Sequence, residues 1–94
     1  MTEDKITKEK LVRYFEVSET AFNMIKKKIM KEREEDAKEI IEMAGNYISD
    51  AHHFEEKGDY VNAFAALNYA HGFLDAGARM KLFDVKDSRL FASD

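Results

Sequence analysis

The segment Gly58–Met80, GDYVNAFAALNYAHGFLDAGARM, decides how this chain folds. Between Asp59 and Ala78 only Asp59 and Asp75 carry a formal charge, in a chain that is 36% charged. Placed on a helix at about 100° per residue, its residues fall into three strips. Tyr60, Phe64, Leu67, Leu74 and Ala78 share one face, and Ala66, Tyr69, Phe73 and Met80 lie nearly opposite. Asn68, Asp75 and Arg79 form a narrow polar strip, with His71 on its border. A helix that is apolar on more than one side has to be covered by several neighbours. Ala63, Ala66, Ala70 and Gly77 are small enough to let those neighbours come close.

Gly58 can take the left-handed conformation that often follows a helix, and the Asp59 carboxylate can accept from free amides at the start of the next one. Upstream, Ala37, Ile40, Ile41, Ala44, Tyr47, Ile48, Ala51 and Phe54 recur at helical spacing. A turn this short makes the two helices an antiparallel hairpin. Further upstream, Leu11, Phe15, Phe22, Ile25 and Ile29 form an amphipathic stripe in which Ser18 occupies an apolar position, and Thr7 is placed to cap its start.

The stretch KEREED, residues 31–36, contains no breaker. An unbroken helix through it would be about 75 Å long and could not lay both halves of its stripe on one core. We therefore expect a turn there, with Asp36 as cap. The chain has no proline, only four glycines and no cysteine. All of this predicts an all-α antiparallel three-helix bundle, up-down-up, with helices near 7–30, 36–57 and 59–82 and a short C-terminal tail containing Leu90 and Phe91. At 94 residues it is expected to form one domain.

Composition also bounds function. A net charge of −4 with both signs interspersed argues against a nucleic-acid binder, and the acids after Lys26-Lys27-Lys28 blunt the only basic cluster. No apolar run is long enough to span a bilayer, and the charged N-terminus is unlike a signal peptide. With no cysteine to form disulfides, a cytoplasmic location is expected. His52 and His53 point about 100° apart on a helix, so together with His71 they match no metal-binding spacing. We assign no metal, no cofactor and no catalytic residue.

One motif set is informative. The pieces YxxDAxxF and GDYxxAxxALxYAxGxLDAG, from Tyr47 to Gly77, resemble an archaeal family of small helical proteins catalogued as domain of unknown function 357. The resemblance spans residues 47–83 and implies a compact helical bundle. Some members of that family are attached to nucleotidyltransferase-like domains, which implies an accessory role. GDYVNAFAALNYA also looks like half a tetratricopeptide unit, but one copy cannot build a solenoid.

Two functions are therefore expected to compete. The first is a non-enzymatic interaction module that binds itself or another protein through Tyr69, Phe73 and Met80. The alternative is a small-ligand or nucleotide-binding accessory domain in which Tyr47, Asp50, Asn68, His71, Asp75 and Arg79 converge between the second and third helices.

Overall fold

Local chemistry sets where the helices begin and end. A computed structural model describes residues 5–85 and contains α1 (Lys8–Ile25), α2 (Glu34–Glu56) and α3 (Tyr60–Arg79), with one 3-10 turn at Lys31–Arg33. The Thr7 hydroxyl accepts from the Lys10 amide at 3.1 Å, as its position predicts. The Asp59 carboxylate accepts from the Asn62 amide at 3.1 Å and from the Asn62 side chain at 2.7 Å. Gly58 adopts φ +76°, with the Asp59 amide bonded to the Phe54 carbonyl and the Gly58 amide to the Glu55 carbonyl, each at 2.9 Å. This pair of bonds closes α2 and reverses the chain into α3.

The three helices pack as an all-α bundle, α2 and α3 in the most extensive contact, α1 lying mainly against α3. Buried positions recur every seven residues on both arms of the hairpin: Ala37, Ala44 and Ala51 on α2, Ala63, Ala70 and Gly77 on α3. Small residues on such rows let two helix axes approach closely. Ala66, grouped by helical angle with Tyr69 and Phe73, is buried with the core residues instead. Around the hairpin lie two apolar clusters, one containing Leu11, Phe15 and Leu67, the other Ile25, Leu74, Leu82 and Phe83.

The first interhelical boundary falls earlier than the sequence suggests. α1 stops at Ile25, and α2 starts at Glu34. Asp36 lies inside the first turn of α2, where it pairs with Arg33 at 3.2 Å rather than capping the helix. The cause is a partner far along the chain. Ile29 forms an antiparallel bridge with Phe83, the Met30 amide donates to the Leu82 carbonyl at 2.9 Å, and the Asp84 amide donates to the Lys28 carbonyl at 2.8 Å. Arg33 adds a bond to the Met80 carbonyl at 3.2 Å.

α3 likewise ends at Arg79, three residues before the expected end near 82. Lys81 turns the chain at φ 61°, a conformation that costs a residue with a Cβ about 1–2 kcal/mol. What offsets it is the burial of Leu82 and Phe83, 1% and 3% exposed. Leu90 and Phe91 of the expected tail lie outside the described residues.

Two glycines of α3 make a matched test of this docking. A Cβ on Gly77 would lie 2.5 Å from the Phe83 ring and 3.3 Å from Ile40, whereas a Cβ on Gly72 would meet nothing within 4 Å. Alanine is worth about 1 kcal/mol over glycine inside a helix, and overpacking costs about 1–3 kcal/mol. In dilute solution, Gly72→Ala is expected to raise the urea midpoint and Gly77→Ala to lower it, with unchanged slopes. A rise for both would mean that Phe83 does not sit on Gly77.

Candidate functional site

α1 carries Leu11, Phe15, Ser18, Ala21 and Ile25 on its buried face. Where Ser18 interrupts this stripe, α1 and α3 enclose a cleft of about 290 Å³. Tyr14, Val17 and Ser18 line it from α1, and Leu67, Asn68, His71, Gly72 and Asp75 from α3. Ser18 is only 2% exposed, and its hydroxyl takes part in none of the side-chain hydrogen bonds among the described residues. His71 Nε2 lies 3.5 Å from Asp75 Oδ1, one helical turn away, and this contact orients the ring. The other ring nitrogen, Nδ1, is buried and has no hydrogen-bond partner among the described residues. Leaving such a group unmatched costs about 1–3 kcal/mol.

Only part of the predicted polar strip meets here. Asn68, His71 and Asp75 line the cleft, but they face α1, not α2. Asp50 and Arg79 are exposed and do not line it. Tyr47 belongs elsewhere: its ring stacks on Tyr69 at 5.3 Å and on Phe73 at 5.8 Å, with interplanar angles of 16° and 18°. These three rings form an aromatic patch across α2 and α3. Sequence reasoning missed Tyr14, Val17 and Ser18 as cleft residues; the signal was the hydroxyl placed at an apolar position of α1.

Of the other two histidines, one is engaged in packing. His52 Nε2 is 3.0 Å from Glu19 Oε2, and the His52 ring stacks on Phe15 at 4.3 Å, tying α1 to α2. His53 is exposed. Among the described residues, no three His, Asp or Glu side chains are grouped to hold a metal ion. In the basic cluster, the Lys26 ammonium sits over the Phe22 ring at 4.5 Å. Ser18, His71 and Asp75 are residue types that serve nucleophilic catalysis elsewhere. No hydrogen bond among the described residues joins Ser18 to His71.

This three-helix frame, with the strap of residues 81–84 that follows α3 and docks beside Ile29, coincides with a known sequence unit. The family model described as protein of unknown function (DUF357) matches residues 13–83. The chain belongs to that family. The DUF357 match reaches well beyond the resemblance over residues 47–83, taking in most of α1 and the linker. It ends on Phe83, the residue that docks on Gly77. No curated protein and no solved structure matches the chain. Among the described residues, no helix is long and apolar enough to cross a membrane.

Proposed function

We propose that this protein is a non-enzymatic module that associates with a second copy of itself through the outer face of α3. The observation that carries this reading is where the exposed apolar surface lies. Among the described residues, Val61, Tyr69 and Met80, at 68%, 63% and 58%, are the three most exposed large hydrophobic residues, and all belong to α3 or its cap. Ala65, Gly72 and Ala76 are exposed beside them, and Phe73 is half-buried. Contiguous apolar surface of this kind is uncommon on a monomer unless something covers it.

Two features favour a second copy as the occupant. The exposed positions Val61, Asn62, Ala65, Asn68, Tyr69, Gly72 and Ala76 are all uncharged, and the exposed Arg79 stands at the end of α3, so an antiparallel two-fold pairing about Gly72 keeps the two Arg79 side chains apart. Gly72 has open space where a Cβ would stand, so nothing within the described residues requires glycine there. Its cost of about 1 kcal/mol inside a helix is offset if another backbone comes close at that point. Twenty residues give a helix about 30 Å long and about 10 Å wide, or on the order of 300 Å² of facing surface. Stable interfaces bury about 800 Å² per partner, so the pairing is weak and reversible unless Tyr47 and the exposed Met43 of α2 extend it.

Sedimentation equilibrium across a wide concentration range tests this. The expected result is a reversible monomer–dimer equilibrium that Tyr69→Glu and Ala76→Glu each shift to monomer, with helical circular dichroism unchanged. A chain that stays strictly monomeric at millimolar concentration would overturn self-association and leave only a different protein as occupant of this face.

A further inference from the structure

With no cysteine in the chain, methionine is its only sulfur-containing residue. The methionines differ sharply in access. Met24 and Met30 are half-buried, Met24 packing against the core around Ile25 and Leu74, whereas Met43 and Met80 are 39% and 58% exposed. Both exposed thioethers stand at the margin of the aromatic patch. Met80, the cap of α3, follows Phe73 by seven positions and Tyr69 by eleven, which places it within about 20° of each around the helix. Met43 precedes Tyr47 by four positions and so shares that side of α2, and the Tyr47 ring stacks on Tyr69 and Phe73.

We propose that Met80, with Met43 beside it, is a peroxide-reactive modification site whose oxidation releases the α3 pairing; this rests on the self-association described above. The thioether sulfur gives an electron pair to one oxygen of hydrogen peroxide. The S–O bond forms, the O–O bond breaks, and the other oxygen leaves with the transferred proton as water, so sulfur is oxidised and peroxide reduced. An apolar, flexible side chain becomes a strong hydrogen-bond acceptor. In an antiparallel pair centred on Gly72, Met80 lies eight residues beyond the axis and meets the turn between Val61 and Ala65 of the second copy. Those two side chains offer no donor, so the sulfoxide oxygen is either left unpaired or pushes the helices apart. The coupling is reciprocal: pairing covers Met80, and oxidation acts on free copies.

The test uses the full chain and a brief, limited exposure to hydrogen peroxide. Peptide mass spectrometry is expected to find sulfoxide at Met80 and Met43 well before Met24 and Met30, and to find Met80 reacting more slowly as protein concentration rises into the dimer range. Sedimentation equilibrium should then show the dissociation constant raised about tenfold or more, the effect of one polar group buried unpaired, with helical circular dichroism unchanged. A methionine sulfoxide reductase should restore it. The variant carrying Met43→Leu and Met80→Leu, changes that conserve volume, should pair equally well before and after peroxide. Equal oxidation of all four residues would overturn the proposal, as would a dimer that persists with Met80 fully oxidised, or a double variant that peroxide still dissociates. In those cases the untreated chain still dimerises and the pairing stands; a strictly monomeric untreated chain would overturn the pairing and this control of it together.

Discussion

Phe83→Ala is expected to lower the stability of this protein by about 3–5 kcal/mol, the range for removing a buried phenyl ring. That is a large share of the roughly 5–15 kcal/mol that holds a domain together. For a domain of this size it corresponds to a fall in Tm on the order of 20 °C. The argument begins with burial: Phe83 is 3% exposed and its ring fills the space left by Gly77. It continues with what the ring holds in place. Ile29 pairs with Phe83, and the flanking bonds from Met30 to Leu82 and from Asp84 to Lys28 close the gap between α1 and α2. Hydrogen exchange should therefore show the amides of Met30 and Asp84 losing protection before those of α2. Phe64→Ala makes the comparison. That ring is only half-buried, edge-on to Tyr14 at 4.6 Å, and its removal should cost less. Equal losses for the two would mean that the strap contributes no more than a surface contact.

The same strap explains which parts of the fold were legible in the sequence. The hairpin could be read because its determinants are local: Gly58 supplies the turn, Asp59 the cap, and the alanines repeat within each helix. The α1–α2 boundary could not, because every residue from Lys26 to Asp36 tolerates a helix. What pulls Ile29 and Met30 out of one is hydrogen bonding to Leu82 and Phe83, more than fifty positions away. No local pattern carries that information. Leu82 and Phe83 did read as apolar, but a short apolar run gives no hint of which groove receives it.

The candidate sites divide in a similar way. Helical angle correctly put Asn68, His71 and Asp75 on one strip, because residues on a single helix keep fixed relations to one another. It could not say which neighbour that strip faces. α1 and α2 both flank α3, and the choice between them depends on how α1 crosses, which the Ser18 gap hints at only once the structure is known. Tyr47 was misplaced for the same reason. Its position on α2 was right, yet its ring turns to Tyr69 and Phe73 and not toward His71. Ala66 shows the limit of angle alone: a methyl group beside an exposed tyrosine can still be 7% exposed when the opposite helix comes close.

Leu74→Ala and Leu67→Ala should separate the sealed part of the core from the part that opens to the cleft. Both side chains are almost fully buried, at 0% and 1%, and the transfer cost of the deleted atoms is the same for both. The difference lies in the space left behind. Leucine-to-alanine changes in cores cost about 2.7–5 kcal/mol, rising by about 24 cal/mol for each Å³ of cavity that remains. Leu74 lies among Ile25, Ala44, Ala78 and Phe83 and lines none of the described pockets, so its cavity stays enclosed and the loss should fall near the top of that range. Leu67 lines the α1–α3 cleft, so its cavity joins space that already communicates with solvent, where water can bond to Ser18 and His71. Its loss should fall near the bottom. The enlarged cleft should also accept a bulkier apolar probe, and saturating indole should restore part of the stability of Leu67→Ala, because a molecule bound only by the folded state stabilises it. Indole should do nothing for Leu74→Ala. Urea midpoints measured with and without indole decide the matter. If the two variants lose the same stability and neither responds to indole, the cleft does not reach the core at Leu67.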